Sequence, residues 1–136
     1  MPASSSIQWL RIVVVAVLIE LALILLAIPF YLTLSNNGFI VAVLVAIVVV
    51  PFLITRLAAR KIHSRLLLHG LLIGLVASLI YLGLLVPQPG GIQSAADMYG
   101  TAVFLLANIL RIASTVLGTA WEGRKRAAAP AAINPA

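Results

Sequence analysis

Four long apolar runs, separated by short polar stretches, constrain this chain more than any other feature of its sequence. They cover about residues 7–34, 39–56, 66–86 and 95–121 of the 136 residues. A run of roughly 20 apolar residues is long enough to cross the core of a bilayer as a helix. A helix also satisfies its own backbone hydrogen bonds, which lipid cannot do. The sequence therefore predicts an all-α integral membrane protein with a bundle of four transmembrane helices.

The composition supports a membrane rather than a soluble protein. Hydrophobic residues make up 63% of the chain and charged residues only 9%, whereas soluble domains carry roughly a quarter charged residues. The formal net charge of +6 comes from cations that lie beside the apolar runs. This position favours contact with anionic lipid over binding of nucleic acid. The chain has no cysteine, which excludes thiol chemistry and cysteine-ligated metal.

The positive charges are distributed unevenly between the two ends of the predicted helices. The segment 56–65 holds four of the nine Lys and Arg residues, and three more follow the last run. The turn at 35–38 and the loop at 87–91 contain none. Because basic loops remain in the cytoplasm, we expect both termini there, in a bacterial cytoplasmic membrane. Contacts with anionic lipid are predicted for Arg56, Arg60, Lys61, Arg65, Arg124, Lys125 and Arg126.

Short sequence patterns predict where the fourth helix begins and which face of the third helix packs against another helix. Ser94 and Asp97 match a capping box, which predicts that the fourth helix begins near residue 95. Small residues recur on one face of the third run and predict its helix-packing surface. They are Gly70, Gly74 and Ser78. The transmembrane domain is expected to span residues 1–126, followed by an Ala/Pro-rich tail over 127–136.

Two charged residues lie within the apolar runs. Glu20 follows Trp9 by eleven residues and Arg111 precedes Trp121 by ten, which corresponds to depths of roughly 16 and 15 Å. If both tryptophans mark the cytoplasmic interface, the two charges lie at the same depth and can pair. An unpaired charge there is costly. Polar residues at helical spacing beside Arg111 predict a polar stripe facing protein or a wet cavity. They are Asn108, Ser114 and Thr115.

The Glu20–Arg111 pair has two interpretations. It can fix helix packing, or its carboxylate can serve as a proton or cation site. A third possibility is that either residue pairs with another subunit. The structural interpretation is favoured because a fixed arginine stabilises the charged carboxylate. We expect no metal or other cofactor, since the two histidines lack carboxylate companions. No nucleophile–base arrangement or phosphate loop indicates an enzyme.

Three functions are compatible with these features. The first is a non-catalytic membrane subunit or scaffold that packs with other membrane subunits or with itself. The second is a small proton- or cation-coupled transporter. Four spans with a carboxylate in the first form a layout similar to that of the small multidrug resistance family, and this resemblance implies transport through Glu20. The intramembrane Arg111, the long first span and the lack of an aromatic cluster around Glu20 depart from that pattern. The third is a lipid-interacting or regulatory protein acting through the basic segment 56–65.

Overall fold

The computed structural model describes residues 7–129, and this part of the chain forms helices connected by short turns. The helices are α1 (Trp9–Thr33), α2 (Asn36–Ala59), α3 (Leu66–Leu85), α4 (Gly91–Tyr99) and α5 (Thr101–Ala128). All but α4 are long and apolar enough to cross a membrane. No strand occurs in residues 7–129. The predicted all-α bundle of four long apolar helices is therefore confirmed, and it is consistent with a multi-pass membrane protein.

The long helices form two antiparallel hairpins that pack side by side. The order around the bundle is α1, α2, α5 and α3, so α1 contacts α2 and α3, and α5 contacts the same two helices. Helices α2 and α3 have few contacts because they lie across one diagonal, and α1 and α5 lie across the other. This arrangement directs one face of α1 and one face of α5 towards the centre of the bundle.

Apolar residues from α1 form much of the buried core. They pack against side chains of α2 and α3. The buried core residues are Ile12, Val15, Ala16, Ile19, Leu23, Ala46, Ile47, Ile73 and Ala77. The outward faces of the long helices are also apolar, and many of their Leu, Val and Ile side chains are exposed. An apolar exterior of this kind suits lipid as the surrounding solvent.

Glycines allow α5 to approach both of its neighbours closely. A Cβ atom at Gly70 would meet the Thr119 hydroxyl, and one at Gly74 would lie 2.8 Å from Ile112 Cα. On a different face of α5, a Cβ at Gly118 would lie 2.6 Å from the Phe52 carbonyl oxygen of α2. These distances leave no room for a side chain. Gly70 and Gly74 of α3 therefore lie against α5, and Ser78, the third predicted packing residue, is buried on the same helix.

The start of the fourth predicted helix differs from the capping-box prediction. A short helix, α4, begins at Gly91, and Ser94 lies inside it with its backbone N–H donated to the Gly90 carbonyl. The predicted N-cap at Ser94 is therefore wrong. Gly90 and Gly91 have φ angles of 79° and 56°, which glycine adopts without the penalty of a side chain. Gly100, with φ 82° and ψ 135°, then separates α4 from α5.

Other helix boundaries also differ from those expected. Helix α2 begins at Asn36, because the Ser35 side chain caps it by accepting a hydrogen bond from the Gly38 N–H at 3.4 Å. The predicted turn is thus part of the first turn of α2. Pro29 and Pro51 lie inside α1 and α2, respectively, and neither ends its helix. Helix α5 continues to Ala128, into the segment predicted as a tail, and residues 130–136 lie outside the described residues.

Candidate functional site

The centre of the bundle contains an ion pair between α1 and α5. Arg111 Nε lies 3.4 Å from Glu20 Oε1, and each residue is only 3% exposed. The two helices occupy opposite corners of the bundle, so the pair joins them across its interior. At 3.4 Å the contact is an ion pair rather than a short hydrogen bond. The structure thus brings together the two charges whose depths match in the sequence.

Arg111 also contacts an aromatic ring of a third helix. Its Cζ atom lies 4.5 Å from the centroid of the Tyr81 ring on α3. A guanidinium group at this distance from a ring face gains a cation–π interaction, which is strongest when water is excluded. The charge of Arg111 is therefore stabilised from two sides, by a carboxylate of α1 and by a ring of α3. Sequence reasoning missed Tyr81, because no spacing rule links it to Arg111.

Several polar atoms around the pair lack a hydrogen-bond partner among residues 7–129. They include the acceptors Glu20 Oε1 and Asn108 Oδ1 and the donors Arg111 Nε and Nη1. The Asn108 amide nitrogen is satisfied, since it donates to the Phe104 carbonyl at 2.9 Å. Buried polar atoms normally have partners, because desolvation without a hydrogen bond is costly. These donors and acceptors can therefore serve a polar occupant of the bundle interior.

A cavity of about 150 Å³ lies beside this pair. Glu20, Arg111 and Asn108 form its polar part, and the remaining wall is apolar or aromatic. The aromatic wall residues are Phe30, Phe39, Tyr81, Tyr99 and Phe104. They come from α1, α2, α3, α4 and α5. Of these rings, Tyr81 contacts Arg111 of the ion pair. All five share one cavity with Glu20, and the helix order brings them there from separate parts of the sequence.

Contacts between the rings shape the end of the cavity farthest from the basic loop. The Phe39 and Tyr99 ring centroids lie 6.5 Å apart, and the Phe39 and Tyr31 rings meet edge to face at 5.7 Å. Deeper in the bundle, the Tyr81 and Phe104 centroids are 6.2 Å apart. Tyr99 belongs to α4, so the short helix supplies part of the wall.

The predicted polar stripe of α5 faces the bundle interior, but its members have different surroundings. Ser114 and Thr115 are buried, and Thr115 donates its hydroxyl to the Ile112 carbonyl at 2.7 Å. Thr115 also lies against Gly74 of α3. Asn108 lines the cavity together with Arg111. The stripe therefore combines helix-packing residues with cavity residues.

The cations predicted to contact lipid divide into two groups. Most have exposed side chains at the same end of the bundle, namely Arg60, Lys61, Arg65, Arg124 and Lys125. Arg126 instead donates to the carbonyls of Ala59 and Ile62. Arg56 lies with its Cζ atom 5.8 Å from the centroid of the Trp121 ring. These two half-buried arginines therefore interact with protein groups, which the charge pattern alone does not show.

A buried histidine at the same end connects α1 to α3. The backbone N–H of Gln8 donates to His69 Nε2 at 3.2 Å, and His69 Nδ1 lies 3.0 Å from the Arg65 carbonyl oxygen. Both ring nitrogens therefore have partners, which gives His69 a packing role. Residues 7–129 contain no group of three or more His, Cys, Asp or Glu side chains that could hold a metal ion. Comparisons of the chain with protein-family models, curated proteins and solved structures found no match.

Proposed function

We propose that the protein is a non-catalytic small membrane subunit or scaffold, which packs in a larger membrane complex or with further copies of itself. The Glu20–Arg111 pair is the observation that carries this proposal. Both charges are buried and directed at each other within one chain. A carboxylate with a fixed counter-charge is suited to holding helices together, since removing either partner leaves an uncompensated buried charge.

The charge distribution supports an orientation for this subunit. Exposed cations are concentrated where α2 ends, α3 begins and α5 ends. We place this basic end, and with it both termini, on the cytoplasmic side of a bacterial cytoplasmic membrane, following the positive-inside rule. Anionic headgroups at that surface would attract Arg60, Lys61, Arg65, Arg124 and Lys125, with about 1 kcal/mol for each cation near the surface.

Purification of the tagged full chain from its native membrane in polymer nanodiscs tests the subunit proposal. We expect either a partner protein at a fixed stoichiometry or more than one copy of the chain in each disc. A Gly74→Leu variant is the control, because a side chain at this position meets the backbone of α5. The Gly74→Leu chain should lose the partner protein or the further copies of itself if association requires the folded bundle. A wild-type chain that is always single and without a partner would contradict the proposal.

A small proton- or cation-coupled transporter using Glu20 is the second candidate. The aromatic-walled cavity favours it, because this space reaches the buried carboxylate. Flux measurements in proteoliposomes test this candidate, with Glu20→Gln as the variant and Glu122→Gln as the control. Glu122 is also a buried carboxylate, but it pairs with Arg126 on its own helix at 3.8 Å. The transporter would be supported if folded Glu20→Gln protein lost transport and Glu122→Gln protein kept it. If wild type showed no flux, the ions tested would be excluded as substrates.

A further inference from the structure

We propose that the cavity beside Glu20 and Arg111 binds a small uncharged molecule with one aromatic ring and one group that both donates and accepts hydrogen bonds. A primary amide or a hydroxyl group has this chemistry. The inference concerns a ligand site within a single chain. It does not depend on whether that chain is a subunit of a complex or a transporter.

The polar end of the cavity determines the chemistry of the ligand's polar group. Arg111 Nε and Nη1 are donors, and Glu20 Oε1 and Asn108 Oδ1 are acceptors, all without a hydrogen-bond partner in residues 7–129. Arg111 and Glu20 are each 97% buried, since only 3% of each residue is exposed. A ligand that only accepts hydrogen bonds would leave the two oxygens unsatisfied. A ligand that only donates would leave the guanidinium nitrogens unsatisfied, so the best complement does both.

The charge of the site determines the charge of the ligand. Glu20 and Arg111 carry opposite charges and face each other, so the polar end of the cavity has no net charge. A charged ligand would bring an uncompensated charge into a low-dielectric interior, which is costly at this depth. An uncharged polar group avoids that cost.

The apolar wall determines the remaining part of the ligand. The wall of the same cavity includes five aromatic rings, namely Phe30, Phe39, Tyr81, Tyr99 and Phe104. Aromatic rings pair well with a further ring in offset or edge-to-face geometry. The volume of about 150 Å³ matches cavities that accommodate a benzene-sized molecule in other proteins. A single ring with a small polar group therefore fits both the wall and the volume.

Fluorine NMR of the purified full chain in nanodiscs tests this proposal with two probes of similar size. The first is para-fluorobenzamide, and the second is para-fluorotoluene, which has the ring but not the amide. We expect saturable binding of the amide to wild type with an affinity about tenfold higher than that of the toluene, since the toluene leaves the buried polar atoms unsatisfied. Equal affinities would overturn the assigned polar contacts.

A matched pair of variants on α5 locates the binding. Ala107 lines the cavity, so Ala107→Phe should fill it and abolish saturable binding of the amide. Ala113 is exposed on the same helix, so Ala113→Phe should bind like wild type. Ala27→Phe, which enters the same cavity from α1, replaces the first variant if Ala107→Phe does not fold. The proposal would be overturned if saturable binding survived in the variant whose cavity is filled. It would also be overturned if wild type showed only non-saturable partitioning of the amide, and water would then be the occupant.

Discussion

Glu20→Gln should destabilise the bundle more than Arg111→Gln, although each change removes one partner of the same pair. A lone carboxylate can take up a proton and become neutral, whereas an arginine side chain retains its charge. Glu20→Gln therefore leaves a permanent cation at the centre of the bundle. The Tyr81 ring, 4.5 Å from Arg111 Cζ, offsets only part of that cost.

The contacts of the ion pair determine how much each substitution should lower the free energy of unfolding. Removal of one partner from a buried ion pair typically costs 3–5 kcal/mol, and we expect about 3 kcal/mol for Glu20→Gln because the 3.4 Å contact is a single one. Arg111→Gln should cost about 2 kcal/mol, below the cost of a fixed mid-membrane charge. The double variant has no uncompensated charge and should cost about 2 kcal/mol, less than Glu20→Gln alone, which gives a coupling energy of about 3 kcal/mol.

Reversible unfolding in mixed micelles of a mild detergent and SDS measures these free energies. Glu122→Gln serves as the control, because its partner Arg126 is half-exposed at the end of the bundle. Solvent can compensate the charge left on Arg126, so this change should cost less than Glu20→Gln. Effects of Glu20→Gln and Arg111→Gln that add within about 0.5 kcal/mol would refute the coupling. A larger cost for Arg111→Gln than for Glu20→Gln would refute the argument from permanent charge.

Two further predictions concern helix packing and orientation. Gly74→Leu should destabilise the chain by about 2 kcal/mol or more, because its side chain meets the α5 backbone. Gly83→Leu on the same helix, where a Cβ meets nothing within 4 Å, should change little in the same unfolding assay, and a tolerated Gly74→Leu would contradict the close approach. Reporter fusions near Asn36 and Gly90 should report the non-cytoplasmic side. A reporter within residues 56–65 should be cytoplasmic, and the opposite result would refute the predicted orientation.

The fold class could be predicted because it follows from local sequence. The length of an apolar run and the absence of charge determine whether a helix can cross lipid, and neither depends on the neighbouring helices. The matched depths of Glu20 and Arg111 could also be read by counting residues along two helices. The helix boundaries are harder to predict from the sequence. Gly100 separates α4 from α5, but a single glycine within an apolar run is common in membrane helices.

The surroundings of the ion pair could not be predicted, because they depend on the order of helices around the bundle. Each ring of the cavity wall comes from a different helix, so their convergence needs that order. The same holds for Gly118, whose approach to Phe52 shows that α5 packs on α2. Arg126 has the same sequence pattern as its basic neighbours, yet it donates to the carbonyls of Ala59 and Ile62. Charge patterning identifies an end of a bundle and does not distinguish capping from lipid contact.

The diagonal positions of α1 and α5 have a consequence for the order of assembly during translation. Helix α5 leaves the ribosome after the other long helices of residues 7–129, and α2 and α3 have few contacts with each other. A chain that has inserted only its first three long helices therefore has an open groove between α2 and α3. The carboxylate of Glu20 has no counter-charge in that intermediate, and Gly70 and Gly74 are uncovered. Insertion of Arg111 closes the groove and supplies the counter-charge in one step, so a chain stalled before α5 has a buried carboxyl group without its partner.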